Sequence, residues 1–352
     1  MKICVICGKI LNLAMKILEY QSLKKLNTFG IDVSAKYFVE FSSIQDIQEI
    51  LSNPKFLNSK KLILGGGSNL LFTQNFDGIV LKNNLKGIEL VKQDADFYYV
   101  KSAAGEVWHE FVMHCIKNNY AGMENLSLIP GNVGASPMQN IGAYGVEIKD
   151  HFYELEAFSL EDKTIRTFSK AECKFGYRES VFKHELKNQY IITSVTFKLL
   201  KNPKFNTSYG AIETELAAMG VITKTIKAIS QAVCNIRNSK LPNPAEIGNA
   251  GSFFKNPEVI RGKYEFLKIK YPNIVGYELE NGNVKLAAGW LIEQSGWKGK
   301  TIGEAGVHKL QALVLVNYGN AKGNEIYDLS TKVLESVKER FGVELEREVN
   351  II

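Results

Sequence analysis

Residues 129–145, Ile-Pro-Gly-Asn-Val-Gly-Ala-Ser-Pro-Met-Gln-Asn-Ile-Gly-Ala-Tyr-Gly, say most about how this chain folds. Gly, Pro and Asn interrupt every apolar run, so the segment follows neither the period of a helix nor that of a strand. A globular domain seldom contains so long an irregular segment unless the segment has a function. Small side chains allow the backbone to approach a flat or extended ligand. We therefore predict a binding loop, with a long structural loop as the alternative.

A second glycine-rich loop, residues 65–69 with the sequence Gly-Gly-Gly-Ser-Asn, follows a short apolar strand predicted at residues 61–64. Successive glycines let backbone N–H groups turn toward one point and cradle an anion such as a pyrophosphate. The loop lacks the Gly-Lys-Ser/Thr of a P-loop and the third glycine of a Rossmann fingerprint. A tight turn at the strand end is the alternative. Two such loops in one half of the chain favour a dinucleotide such as FAD.

Both loops offer backbone groups and amide side chains as candidate cofactor ligands. The candidates are Gly65, Gly66, Gly67, Ser68, Asn69, Pro130, Gly131, Gly134, Ala135, Gln139, Asn140, Gly142 and Ala143. Neither loop contains His or Cys, so we predict that FAD is bound noncovalently. The five histidines show no metal-site spacing, and no metal is predicted.

Composition narrows the class of protein. At 352 residues, with 45% hydrophobic and 23% charged residues, the chain has the make-up of a globular protein of two or three domains. Its net charge of +6 is spread along the chain, and this distribution favours anionic small molecules over nucleic acid as ligands. No apolar run reaches the ~18 residues of a membrane span, so no membrane insertion is predicted. The chain has only five cysteines, an odd number, which argues against the disulfide framework of a secreted protein. This low cysteine content favours a cytoplasmic location.

Besides a helical stripe at residues 107–115, apolar spacing predicts three amphipathic helices. One lies at residues 42–51, where Ser42 and Gln45 have the spacing of a capping box. A second runs from Ile222 to Ile236, with apolar residues stepping by four and three. A third spans residues 326–341. Strands and helices are interleaved without strict βαβ alternation.

Residues 248–257, Gly-Asn-Ala-Gly-Ser-Phe-Phe-Lys-Asn-Pro, form a third segment rich in small residues. Ser252 has little bulk around it, so a substrate could approach its hydroxyl. Phe254 occupies the place of the second glycine of a nucleophile elbow, which argues against that motif. Lys240 and Lys255 could steer a diphosphate. The alternatives are a turn serine and two solvated lysines.

Taken together, these segments closely resemble the UDP-N-acetylenolpyruvoylglucosamine reductases, in particular their type I branch. The motifs that carry the resemblance are Asn27–Ile31, the loop at 65–69, Ile129–Ile148, Phe175–Ser180, Lys240–Pro244, Gly248–Pro257, Lys285–Ile292 and Glu346–Ile352. They occur in the order found in the family and cover the chain from about residue 20 to its end.

The resemblance implies an α+β fold, with a vanillyl-alcohol-oxidase (PCMH-type) FAD-binding domain followed by a smaller α+β substrate-binding domain. The implied limits are a dispensable extension at 1–14, the FAD domain at 15–203, the substrate domain at 204–340, and a segment at 341–352 that returns to the active site.

The resemblance also implies the reaction. NADPH, the co-substrate, reduces FAD, which then reduces UDP-N-acetylglucosamine enolpyruvate to UDP-N-acetylmuramate, a peptidoglycan precursor. The implied catalytic residues are Arg178, which faces developing carboxylate charge, Ser252, the proton donor, and Glu348. Hydride addition gives the substrate an enolate-like negative charge, which a bare carboxylate would repel. We therefore expect Glu348 to have a raised pKa or a partner cation.

Four residues match positions that contact the sugar nucleotide in the family: Tyr177, Tyr209, Lys240 and Asn256. Arg347 and Asn350 depart from the family pattern, which usually has proline and arginine there. An FAD-linked sugar or lactone oxidoreductase with the same flavin domain is the alternative function. A nucleotide-sugar binding protein without catalysis is a third, which the presence of Arg178, Ser252 and Glu348 disfavours.

Overall fold

The computed structural model describes residues 16–208 and 210–352, so the predicted extension at 1–14 and the candidate ligand Tyr209 lie outside the described residues. The strands are β1 (Leu18–Ser22), β2 (Ser34–Phe41), β3 (Lys60–Leu64), β4 (Leu70–Leu71), β5 (Phe76–Asn83), β6 (Ile88–Gln93), β7 (Phe97–Ala103), β8 (Gly142–Ala143), β9 (Val146–Glu147), β10 (Phe152–Ser159), β11 (Ile165–Ser169), β12 (Tyr190–Leu200), β13 (Gly248–Ser252), β14 (Glu258–Val259), β15 (Gly276–Glu278), β16 (Val284–Leu286), β17 (Thr301–Ile302), β18 (Ala305–Val307), β19 (Val314–Asn317) and β20 (Asn350–Ile351). The helices are α1 (Ile44–Ser52), α2 (Trp108–Lys117), α3 (Gly210–Ala218), α4 (Ile226–Lys240), α5 (Arg261–Lys270), α6 (Ala288–Gln294) and α7 (Gly323–Phe341). No helix among the described residues combines the length and apolar character needed to cross a membrane.

The first sheet has the strand order β1-β2-β5-β3. Strands β2 and β3 both run parallel to β5, and Leu64 at the end of β3 is paired with Lys82. Ile47 and Ile50 of α1 are buried in one apolar cluster with Phe41 of β2. The glycine loop at 65–69 therefore leaves the sheet at the carboxyl end of a parallel strand, a place where open α/β sheets commonly bind ligands.

The second sheet is antiparallel, in the order β11-β10-β12-β7-β6. Trp108 and Phe111 of α2 pack on Phe197 of the central strand β12, at ring-centroid distances of 5.8 and 5.0 Å. The Trp108 N–H donates to the Gly131 carbonyl at 2.9 Å. This bond ties the irregular segment at 129–145 to the start of α2. Within that segment only a short 3-10 helix at 133–138 and the two-residue strand β8 are regular, as the sequence predicts.

The C-terminal half contains a sheet ordered β13-β19-β18-β17 and a smaller one ordered β14-β16-β15. Its apolar core includes Phe253, Leu291 and Val333, and is continuous with Leu64 and Phe72 of the first half. Strand β20 pairs in parallel with β4, so the end of the chain lies beside the segment that follows the glycine loop. The predicted domain limits stay a prediction, because one core is shared by elements assigned to different domains.

Two helix starts differ from the sequence expectation. The cap of α1 is Ser43 rather than Ser42: its hydroxyl accepts from the Asp46 N–H at 3.1 Å, and the Asp46 carboxylate accepts from the Ser43 N–H at 3.0 Å. Helix α4 begins after its cap, Thr225, and Ile222 lies outside it with 98% of its surface exposed. The apolar period located both helices, but the cap depends on where the backbone turns from extended to helical.

Candidate active site

The two glycine-rich loops meet face to face. A β carbon added to Gly66 would lie 2.9 Å from the Cα of Gly131 and 2.9 Å from Oδ1 of Asn132. Gly131 has φ of +112°, and a β carbon there would lie 2.7 Å from Oγ of Ser68. Side chains at either glycine would push the loops apart. The sequence placed both loops near one ligand, and the structure brings them into contact.

The first loop provides the free N–H groups. Among the described residues, none accepts a hydrogen bond from the backbone N–H groups of residues 65–69. In the second loop, Gly134 donates to the carbonyl of Ala104 at 2.9 Å and Ala135 donates to that of Asn132 at 3.0 Å. We call residues 65–69 with Gly131 the glycine cradle. Its unpartnered N–H groups fit an anion such as a pyrophosphate.

Lys82 lies beside the glycine cradle, although the sequence patterns had not singled it out. Its ammonium donates a hydrogen bond to the carbonyl of Gly65. Burial lowers its pKa. The one sign of its role is its position in β5. The register between β3 and β5 places Lys82 opposite Leu64, next to the loop at 65–69.

Amide side chains of the loops link the glycine cradle to Glu348. Nδ2 of Asn69 donates to Oε1 of Gln139 at 2.8 Å, and Nε2 of Gln139 donates to Oε1 of Glu348 at 3.2 Å. Asn140 has a different environment: it is fully buried, and its amide donates to Glu147 and to the Gly176 carbonyl at 2.9 and 2.8 Å. Asn140 therefore fixes the loop and the turn that begins at residue 176.

Arg178 is held in that turn, with φ of +57°. Its guanidinium donates to the carbonyls of Asn140 at 3.3 Å and Gly142 at 2.6 Å. Nε lies 3.3 Å from Oε1 of Glu348, and the Arg178 side chain is 18% exposed. An arginine in left-handed backbone conformation, with its guanidinium hydrogen-bonded to two carbonyls, is a preorganised cation.

Ser252 and Glu348 lie on adjoining segments. Ser252 ends β13 after a register irregularity, which turns the strand, and it is exposed. The N–H of Glu348 donates to the carbonyl of Phe253 at 2.8 Å, and the N–H of Lys255 donates to that of Glu346 at 2.9 Å. Residues 253–255 and 346–348 thus run side by side. This pairing brings Ser252 to the neighbourhood of Glu348 and Arg178.

Both features expected for Glu348 are present. Burial raises its pKa above that of an ordinary carboxyl group, while the nearby cations of Arg178, Lys183 and Lys255 act in the opposite direction. The net shift is upward, so the group keeps its proton to a higher pH than a solvated glutamate. The partner cation is Arg178.

Among the candidate sugar-nucleotide ligands, Tyr177 directly precedes Arg178 in the chain. Burial raises the pKa of Tyr177, and Nζ of Lys285 lies 3.6 Å from its ring centroid. Burial lowers the pKa of Lys285, which the sequence placed in a motif without a role. Oδ1 of Asn256 accepts from the N–H of Ala288 at 3.0 Å and so caps α6. Lys240 is exposed at the end of α4.

Lys255 does not lie where a diphosphate-steering residue would. It is only 6% exposed, and its ammonium is paired with the carboxylates of Glu179 and Glu346. Burial by itself lowers the pKa of Lys255, but the hydrogen bonds that its ammonium donates to the two glutamates outweigh burial, and the pKa is raised. A lysine that is buried and already paired with two carboxylates of its own chain is unsuited to steering a solvated ligand, so that expectation is wrong.

The two departures from the family pattern near Glu348 have clear local roles. Nε and Nη2 of Arg347 donate to the hydroxyls of Ser330 and Thr331 at 2.8 and 2.7 Å, which ties the segment to α7. Asn350 donates to the carbonyl of Asn69 through its backbone and its side chain, at 3.1 and 3.0 Å. Both contacts support the backbone on either side of Glu348.

The fold and the site define a flavin-dependent oxidoreductase, and comparison with known proteins agrees. Residues 35–169 match the model of the FAD binding domain, and residues 243–352 match that of the UDP-N-acetylenolpyruvoylglucosamine reductase C-terminal domain. The chain belongs to the UDP-N-acetylenolpyruvoylglucosamine reductase family, as the sequence motifs predicted.

Relatives of that name cover nearly the whole chain. The protein from Flavobacterium johnsoniae is 54% identical over 96% of this chain and 100% of its own length. The protein from Amoebophilus asiaticus is 51% identical over 96% and 100%. The crystal structure of the Thermus caldophilus enzyme matches with a TM-score of 0.66 and 21% identity over 96% of this chain and 98% of that one, and supports the fold.

Proposed function

We propose that this protein reduces UDP-N-acetylglucosamine enolpyruvate to UDP-N-acetylmuramate in the cytoplasm, with noncovalent FAD as cofactor and NADPH as reductant. The observation that carries the proposal is the contact between Nε of Arg178 and Oε1 of Glu348 at 3.3 Å, with Ser252 on the adjoining segment and the glycine cradle linked to this contact through Gln139. Two electrons, as hydride, and one proton saturate the enolpyruvyl double bond. NADPH is oxidised to NADP⁺.

The glycine cradle fits the dinucleotide. Five N–H groups without acceptors among the described residues and the Lys82 ammonium would hold its pyrophosphate. FAD, when bound, supplies the hydride chemistry between the nicotinamide and the alkene. Gly66 and Gly131 keep the two loops in contact, so a close backbone approach from both sides becomes possible.

Arg178 stabilises charge on the substrate carboxylate. Addition of hydride to the terminal alkene carbon pushes electron density into the adjacent carboxylate. A fixed guanidinium aimed at that charge lowers the barrier more than it stabilises the ground state. The carbonyls of Asn140 and Gly142 hold the guanidinium before the substrate arrives, so little reorganisation is needed.

Ser252 donates the proton to the substrate carbon. A hydroxyl is a weak acid in water, but the enolate-like carbon it faces is strongly basic. Glu348 assists in its protonated form, which its raised pKa favours. Held this way, Glu348 does not oppose the negative charge that Arg178 stabilises.

The sugar nucleotide is bound by a set of cationic and polar groups. Tyr177, Tyr209, Lys240 and Asn256 are the proposed ligands, and Lys285 joins them because its half-buried ammonium lies on the ring of Tyr177. A cation placed against an aromatic face and partly shielded from water attracts a phosphate or carboxylate strongly.

Anaerobic mixing tests the function in two stages. The purified yellow protein should bleach when NADPH is added and regain its colour when the enolpyruvyl sugar nucleotide follows. Acid or heat should release unmodified FAD. A protein bleached directly by a sugar or lactone would support the alternative oxidoreductase. A protein that binds the sugar nucleotide but never bleaches would be a binding protein without catalysis.

A further inference from the structure

Lys255 is a buried cation that the proposed chemistry does not use. Its side chain is 8% exposed, and Nζ contacts the carboxylate of Glu179 and that of Glu346, the latter at 2.6 Å. Glu179 also receives Nε2 of His184 at 2.6 Å, and Lys183 lies 3.7 Å from it. The Lys183 ammonium donates to the carbonyl of Arg178 at 3.1 Å.

Each group around Lys255 belongs to a segment that carries one of the proposed catalytic residues. Glu179 directly follows Arg178, Glu346 lies two residues before Glu348, and Lys255 itself lies three residues after Ser252. These three segments are far apart in the chain. We call the set the ionic cluster: Arg178, Glu179, Lys183, Lys255, Glu346 and Glu348.

The backbone alone connects only two of the three segments. Residues 253–255 pair with 346–348 through backbone hydrogen bonds. The turn that carries Arg178 is bonded to itself, between Gly176 and Glu179, rather than to these strands. The Lys255–Glu179 contact therefore joins the Arg178 turn to the Ser252 and Glu348 strands by side-chain charge, beside the direct Arg178–Glu348 pair.

We propose that Lys255 is a positioning residue, which holds the segments of Arg178, Ser252 and Glu348 in the arrangement needed to reduce the enolpyruvyl group. The proposal rests on the function proposed above. Two carboxylates on one buried ammonium hold both segments close to it, because moving them away would leave the buried charge of Lys255 unpaired. A misplacement of about 1 Å at a reacting centre can cost about a hundredfold in rate.

Lys255→Met tests this by separating the two half-reactions of the full-length holoenzyme. The variant keeps the length of the side chain and loses the charge. We expect FAD content to survive, flavin reduction by NADPH to change by less than about threefold, and reoxidation by the enolpyruvyl sugar nucleotide to slow about a hundredfold. Lys255→Arg should recover part of the rate, since a guanidinium can also join two carboxylates.

Lys101→Met is the matched control. Lys101 forms a half-buried ion pair with Glu156 at 2.6 Å, in the sheet of β7 and β10, away from the ionic cluster. It should leave both half-reactions unchanged. If Lys255→Met fails to fold, Glu346→Gln weakens one of the two contacts at an exposed carboxylate, and should slow reoxidation about tenfold by loss of a charge-assisted contact.

A pH profile separates positioning from a general loss of structure. Arg178, Lys183, Lys255, Glu346 and the phenol of Tyr177 are titratable groups that interact with Glu348. Removal of the Lys255 charge raises the pKa of Glu348, so the corresponding limb of the reoxidation profile should move to higher pH. Equal slowing of both half-reactions, or an unchanged reoxidation rate and profile, overturns the proposal. A wild-type flavin that NADPH reduces but the sugar nucleotide does not reoxidise overturns the proposed function, and this proposal with it.

Discussion

The glycine cradle and the ionic cluster are built in opposite ways. In the cradle the important groups are backbone N–H donors, and glycines at positions 66 and 131 leave the space in which two loops touch. In the cluster the important groups are side chains whose charges join segments distant in sequence. The cradle therefore depends on the room that its glycines leave between the two loops, and the cluster depends on contacts between charged side chains. Substitutions in the two regions should fail in different ways, one through cofactor binding and one through the second half-reaction.

Ser252→Ala should give the largest effect, and this effect should be confined to the second half-reaction, in which the proton is transferred. Flavin reduction by NADPH needs no proton from Ser252 and should stay near normal. Reoxidation by the enolpyruvyl sugar nucleotide should slow by the ~10²–10⁴-fold typical of a lost general acid. Stopped-flow absorbance of the flavin measures both steps. Equal slowing of both steps would make Ser252 a positioning residue for the shared cleft.

Lys240→Ala tests whether sugar-nucleotide binding depends on a residue outside both regions. Loss of one charge-assisted contact to a diphosphate costs roughly 1.5–3 kcal/mol, so KM for the sugar nucleotide should rise about ten- to a hundredfold. The hydride step from NADPH to the flavin should be much less affected. An unchanged KM would remove Lys240, which is exposed at the end of α4, from the site.

Gly66→Ala tests the dependence of the cradle on space. The new β carbon would lie 2.9 Å from Gly131 and from Asn132, so the loops must separate. Overpacking of this kind costs typically 1–3 kcal/mol, which predicts FAD binding weakened about tenfold or more. Gly262→Ala on α5 is the control, because a β carbon there meets nothing within 4 Å. Full FAD affinity in Gly66→Ala would show that the loops need not touch.

Glu348→Gln tests the dependence of the cluster on charge through the free energy of unfolding, the measurement in which the smallest change is expected. The folded pKa of Glu348 is raised, so wild type is stabilised below the ordinary carboxyl pKa and loses that contribution as pH rises through the folded pKa. Relative to Glu348→Gln, the free energy of unfolding of wild type should fall by at most about 1.4 kcal/mol per pH unit in that window. Denaturant titrations of both proteins from about pH 4, near the ordinary carboxyl pKa, to about pH 8 measure this difference in the free energy of unfolding. A constant difference would show that the pKa of Glu348 is not raised.

The sequence predicted more of the cradle than of the cluster. Glycines after an apolar strand indicate close backbone approach by themselves, so residues 65–69 and Gly131 could be found by pattern. Lys82 was missed because its position depends on the register between β3 and β5. Lys255 was misassigned because its burial and its two carboxylate partners depend on segments far from it in the chain.

The sequence by itself determined the family, the candidate residues Arg178, Ser252 and Glu348, and the periods of the main helices. The helix periods follow from local apolar spacing and the three residues from the resemblance of local motifs to the family, and neither needs knowledge of what lies opposite. Only the tertiary structure decided that the two loops touch, that Glu348 is buried against Arg178, and that Lys255 joins three distant segments. Burial and charge pairing depend on neighbours far apart in the chain, and the pKa of a carboxyl group is set by those neighbours.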